Sequence, residues 1–239
     1  MKNPSSKISL ERAADFIWRN ARLLERVMFA HAFLNGPAEA VTNSVLAYRN
    51  ADSGFGNAME PEVRAPESMP LHCEIALRAL SDSGIRDARI AKGVCDFLAS
   101  TADSDGRVPI VTAKIRDYPR AAHWSDPQSG GDSPNPTAAL TGLLHYQGVE
   151  HPWLSRATEW CWRRFEKPIE EAHEILNALT FLEYLPTARV RRRWPCESRV
   201  RPMGPSGFSR MRDPQATASR HCSCVRAPMP SGVPRFPMK

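Results

Sequence analysis

Leu46-Ala47-Tyr48-Arg49-Asn50-Ala51-Asp52-Ser53-Gly54-Phe55-Gly56 and Phe97-Leu98-Ala99-Ser100-Thr101-Ala102-Asp103-Ser104-Asp105-Gly106-Arg107-Val108 follow one plan: an apolar helix end running into a polar, glycine-containing turn. They lie about fifty residues apart, and a repeat of that size marks stacked supersecondary units. Each unit is a helical hairpin that cannot bury its apolar face alone and must pack on its neighbours. The stretch therefore predicts an all-α fold of stacked helical hairpins.

Working outward, helical periodicity recurs on both sides. Leu10, Ala13, Ile17, Ala21, Leu24 and Met28 form one stripe of a long first helix that Gly36-Pro37 ends. Val41, Val45 and Tyr48 mark a second helix. A third runs from 69 to 83, with Leu71, Ile75, Ala79 and Leu80 inward and Gly84 past its end; Ile90, Val94, Phe97 and Leu98 define a fourth. Asn135-Pro136 starts a fifth, with a capping side chain and a proline at the first helical position, and Gly148 closes it. Pro152 opens a sixth and Pro168 a seventh, the latter through Ile169, Ala172, Leu176, Leu179 and Leu182. Trp18, Phe29, Trp153, Trp160 and Phe165 fall at helical spacing and read as core. No strand pattern interrupts these segments, which excludes an α/β fold.

The helical text covers residues 8–186. Beyond it, eight prolines stand between Pro195 and Pro237 and apolar periodicity stops, so residues 187–239 read as a disordered, basic Pro/Arg-rich tail. A frame-shifted terminus is the leading account of this segment, beside a natural tail and a nucleic-acid-binding arm. Eleven Arg and one Lys against Glu197 and Asp213 give residues 188–239 a charge of +10, while the whole chain carries only +6. The helical part is thus mildly acidic, and nucleic acid is not an expected partner. No run of apolar residues is long enough to cross a membrane. The six cysteines are irregularly spaced and read as free thiols of a cytoplasmic protein.

Arg49-Asn50-Ala51-Asp52-Ser53-Gly54-Phe55-Gly56 resembles the Gln-Asn-Pro-Asp-Gly-Gly-Phe-Gly turn of the α/α toroids of protein prenyltransferases and of squalene and other terpene cyclases. Glu60-Pro61-Glu62-Val63-Arg64-Ala65-Pro66-Glu67-Ser68-Met69-Pro70 and Asn135-Pro136-Thr137-Ala138-Ala139-Leu140 are similar to an uncharacterised bacterial branch of that superfamily. The resemblance spans most of residues 12–186. It implies incoming helices that line an inner wall, outgoing helices in an outer ring, and an apolar cavity for a small prenyl-type ligand. A full toroid of six hairpins needs on the order of 300 residues. The helical part supplies three and a half hairpins, so the expected architecture is an incomplete α/α toroid. Such an arc leaves apolar faces in water, which favours association or poor solubility.

The chain departs from the recognised chemistry of both groups. A cyclase of the protonating class needs an Asp-x-Asp-Asp run, and Asp103-Ser104-Asp105-Gly106 lacks the last acid. Asp103 and Asp105 are candidate acids, and equally turn residues that bond their own backbone. His72-Cys73-Glu74 holds the three ligand types of a prenyltransferase zinc site, yet neighbours on a helix point about 100° apart, so no metal site is expected there. Glu74 stands one turn into its helix and reads as a general acid facing the cavity or as part of a capping network. Glu60, Glu62 and Arg64 lie on a loop that would rim the cavity mouth, or are solvated surface charges. Glu174 on the seventh helix is a further substrate-binding candidate and, with a carboxylate on the third helix, would suit a glycosidase pair. Tyr118 and Trp124 sit in the long 102–134 segment, where they would line a binding site or pack the loop. Three functions stay open: a prenyl-type toroid protein, a non-catalytic helical scaffold, and a carbohydrate-active enzyme. Cofactor and oligomeric state are not legible in the residues.

Overall fold

The computed structural model describes residues 4–124 and 131–185, with side chains of the first helix from residue 9 onward. The expectations for residues 187–239 lie outside the described residues. Among those described, the chain is all-helical: α1 (Pro4–Asn20), α2 (Leu23–Leu34), α3 (Ala38–Leu46), α4 (Pro70–Asp82), α5 (Ala88–Thr101), α6 (Thr137–Gln147), α7 (Pro152–Arg164) and α8 (Ala172–Tyr184), with two short 3-10 turns at Ala113–Asp117 and Ala122–Trp124. Two isolated antiparallel bridges, Arg49 with Phe55 and Val63 with Arg120, are the extended pairings among these residues. No helix of the described residues is long and apolar enough to cross a membrane.

Packing follows the hairpin plan. α1 lies on α2, α2 on α3, α3 on α4, α4 on α6 and α6 on α8, while α5 and α7 pack on each other and back onto α4 and α6. α4, α6 and α8 therefore form one row and α5 and α7 a second, the arrangement that lets neighbours bury each other's apolar faces, while α3 joins α2 to α4. α6 is central, and every residue from Thr137 to Leu144 is buried. Its approach to α8 depends on Gly142, where a Cβ would lie 2.6 Å from the Thr180 carbonyl oxygen and 2.8 Å from the Phe181 Cα. Asn177 of α8 completes the contact by accepting the Ala139 N–H at 3.3 Å.

Local signals explain most helix ends. Asp87 caps α5 by accepting from the Arg89 and Ile90 N–H groups, His151 caps α7 ahead of Pro152, and Gly148 closes α6 in the left-handed region at φ +73°. Other expectations need correction. The single long first helix is two helices broken at Ala21-Arg22, where Arg22 is extended and its guanidinium donates to the Met59 carbonyl at 2.8 Å and pairs with Glu25. A tertiary anchor there overrides the apolar period. Pro168 does not open the last helix; Glu171 does, its carboxylate accepting the Glu174 N–H at 3.1 Å. Asn135 caps nothing: α6 begins at Thr137, whose hydroxyl donates to the Val108 carbonyl and accepts from the Val108 N–H.

Burial also differs from the expected stripes. On α4, His72, Cys73 and Glu74 are buried while Leu71 and Ile75 are only half-buried, because α3, α5 and α6 surround that helix. Trp153 and Trp160 are core, but Phe29 and Phe165 are half-buried and Trp18 is 49% exposed. Leu176 and Leu179 of α8 are 58% and 57% exposed.

Candidate functional site

The 49–56 turn is the clamp from which the site is built. Asn50 N–H donates to the Gly54 carbonyl at 2.9 Å, Ser53 N–H to the Asn50 carbonyl at 3.0 Å and Gly56 N–H to the Tyr48 carbonyl at 2.9 Å. The side chains then reach across to the next segment. Asp52 Oδ1 accepts from Gly54 N–H at 3.0 Å and from the Ser68 hydroxyl at 2.7 Å. Asn50 Nδ2 donates to the Pro66 carbonyl at 2.9 Å and to Ser68 Oγ at 3.0 Å. The two backbones come so close that a Cβ on Gly56 would stand 2.1 Å from the Pro66 carbonyl oxygen. This is a physical reason for glycine in the repeated turn. Asp52→Ala is expected to cost about 1 kcal/mol, since it strands the Gly54 donor and the Ser68 hydroxyl at a half-exposed site. Thermal unfolding and faster hydrogen exchange at Gly54 would register it.

The 60–71 segment is zipped to the 110–124 segment. Arg64 N–H donates to the Pro119 carbonyl at 3.1 Å, Ala121 N–H to the Glu62 carbonyl at 3.0 Å, and Leu71 N–H to the Ile110 carbonyl at 3.0 Å. Side chains add to this: Tyr118 hydroxyl donates to Glu67 Oε1 at 3.2 Å, and His123 Nε2 lies 3.0 Å from Glu62 Oε2. The Glu67 carboxylate holds the Tyr118 hydroxyl above its ordinary pKa. Beneath the pair lies a small core of Val63, Ala65, Met69, Val111 and Ile115, with Tyr118 and Trp124 packed against it. Both aromatics thus pack the loop.

Between the turn, the paired loops and the C-terminal end of α5 is a cleft of about 580 Å³. Asn50, Asp52, Glu67, Ser68, Thr112 and Lys114 supply its polar wall, and Pro66 and Phe97 its apolar one. Two atoms of lining residues, Glu67 Oε2 and Thr112 Oγ1, are buried without a hydrogen-bond partner. A buried polar atom left without a partner costs about 1–3 kcal/mol.

The residues expected from the sequence divide into three groups. Glu60, Glu62, Arg64, Tyr118 and Trp124 all lie on the paired loops beside this cleft, although none of them is among its lining residues. Asp103 and Asp105 belong to a turn: Asp103 accepts from the N–H groups of Asp105 and Arg107 and from the Arg107 guanidinium, and Asp105 sits 3.6 Å from Arg163. Glu74 is 2.7 Å from Arg78; burial pushes its carboxyl up, opposed by Arg78 and by His173 of α8. Glu174 pairs with Arg164 at 3.2 Å in the α7–α8 connection. Glu74, Asp103 and Asp105, the expected catalytic acids, have separate charged partners, Arg78, Arg107 and Arg163. Glu74 and Glu174, the carboxylates of the expected glycosidase pairing, are engaged by different arginines, Arg78 and Arg164.

Sequence reasoning missed Glu67, Thr112 and Lys114. Glu67 lies inside the 60–70 run and Asn50 and Asp52 inside the repeated turn, but Thr112 and Lys114 carry no local signal; only the return of the long loop brings them in. No family model, curated protein or solved structure matches this chain.

Proposed function

We propose that the chain is a ligand-binding domain of the terpene cyclase and prenyltransferase-like toroid kind, which takes an apolar prenyl-type ligand with a hydroxyl head at the cleft beside the paired loops. One observation supports this reading: the loop 60–64, expected to rim a cavity, is hydrogen-bonded to the 118–124 segment, expected to line a site or pack the loop, beside a cleft two of whose lining residues, Glu67 and Thr112, each carry a buried polar atom without a hydrogen-bond partner. A hydroxyl can donate to Glu67 and accept from Thr112, and it brings no charge. A diphosphate is disfavoured, since Asp52 and Glu67 outnumber Lys114 and like charges repel. Pro66 and Phe97 give the chain next to the head an apolar wall. Proton-transfer chemistry is no part of the proposal, because Asp103 and Asp105 are committed to a turn and to Arg163, and Glu74 to Arg78.

The test is calorimetric titration of the full chain with farnesol, farnesyl diphosphate and squalene. The alcohol should bind at least about tenfold more tightly than the diphosphate, and Glu67→Ala should weaken it about tenfold, the equivalent of one lost hydrogen bond. If folded protein takes up none of the three, the proposal is wrong.

A further inference from the structure

The sequence of helix contacts α1–α2–α3–α4–α6–α8 ends in two apolar faces. α8 presents Ile175, Leu176 and Leu179, at 44%, 58% and 57% exposure, on one stripe of consecutive turns. At the other end of the sequence of helix contacts, where α1 packs on α2 and α2 on α3, α2 presents Leu23 and Leu34, eleven residues apart and so on one side of the helix, at 64% and 46% exposure, and Trp18 of α1 is 49% exposed. Inside the domain a face of this kind is covered by the next helix of the row, as α6 covers the inner side of α8. Counting Phe16 and Phe33, the two ends, α1–α2 and α8, expose eight large apolar side chains by about half. At roughly 150–250 Å² for a whole aromatic side chain, that amounts to on the order of 800 Å² of apolar surface. With a polar rim it reaches the roughly 1,200–2,000 Å² of a stable protein interface.

Charge selects which face meets which. Residues 166–185 carry five acidic side chains against Lys167, whereas residues 4–34 carry five basic against three acidic. Two copies of the α8 face repel each other, and an α8 face attracts an α1–α2 face. We infer that the α8 face of one copy docks on the α1–α2 face of a second copy of this chain, continuing the helical row from molecule to molecule. The contact is heterologous, so association proceeds beyond the dimer to short chains or a closed ring.

The test uses two full-length variants whose changes fall on exposed positions: one with Leu176→Glu and Leu179→Glu, the other with Leu23→Glu and Leu34→Glu. Circular dichroism checks that each is folded. Sedimentation velocity of the unaltered chain should show mass rising above the monomer at roughly 100 μM or below. Each variant alone should be monomeric, and their mixture should give a one-to-one dimer, because each retains the face the other lacks. A monomeric unaltered chain overturns the inference, as it would if residues 186–239 of the same molecule cover α8. So does dimerisation of the Leu23→Glu, Leu34→Glu variant by itself, which means α8 pairs with α8, or failure of the mixture to form dimers.

Discussion

Replacing Gly142 with alanine will destabilise the domain even though alanine is the better helix former. In an exposed helix the change gains about 1 kcal/mol. Here the new Cβ would meet the Thr180 carbonyl oxygen at 2.6 Å, the Thr180 carbonyl carbon at 3.0 Å and the Phe181 Cα at 2.8 Å, all backbone atoms of a packed helix. None can rotate away, so α6 and α8 must separate, at the cost of the Ala139–Asn177 bond and the packing of Phe181 among Trp162 and Phe165. Overpacking of this kind costs about 3 kcal/mol, giving a net loss of about 2 kcal/mol. Urea unfolding measures it as a lower midpoint with an unchanged slope. A more stable Gly142→Ala protein would mean that α6 and α8 are not in this close contact.

Acid should weaken the fold through His72, and the effect should disappear in His72→Leu. The imidazole is fully buried on α4 and neither ring nitrogen has a hydrogen-bond partner. Burial pushes it down to about 4, against a smaller opposing pull from the Phe55 backbone. Its folded-state pKa thus lies below the ordinary value of 6.5, so the unfolded chain takes up the proton first. The stability His72 allows is complete above its unfolded pKa and falls as the pH drops from there to about 4. The total is about 3 kcal/mol, of which about 2 kcal/mol should be lost between roughly pH 7 and pH 5. Glu74 acts in the opposite sense, since burial raises its carboxyl and its penalty fades as it is protonated. Comparing the native chain with His72→Leu at each pH cancels that contribution. Equal pH dependence of the two proteins would show that His72 is hydrated or already paired.

The site was less legible than the helices, and particular residues show why. Tyr118 and Trp124 attract notice as aromatics in a long loop, and the structure makes them the covering of Val63, Ala65 and Met69. Asp103 and Asp105 attract notice as paired acids, and the short range of Asx-turn bonding commits Asp103 to the N–H groups two and four residues on. Asn50 and Asp52, by contrast, are visible in the repeated turn, but what they grip, Pro66 and Ser68, lies on a segment whose path depends on Gly54 and Gly56. Thr112 and Lys114 join that wall from more than forty residues further along the chain.

Residue order alone determined that the chain is helical between α2 and α8, where helices stop at Gly84 and Gly148, and that consecutive helices pair as hairpins. These features follow from interactions within a few residues: an apolar period near 3.6, a proline that cannot donate, a glycine that enters the left-handed region without penalty. Tertiary structure decided that Arg22 interrupts the first helix to reach Met59, that α4 is buried nearly all round, His72 and Glu74 included, and that the 60–71 and 110–124 segments meet. Those outcomes rest on partners distant in sequence. A stripe of leucines announces that it needs covering, but only the placement of the neighbouring helices settles which stripes are covered and leaves Leu176 and Leu179 in water.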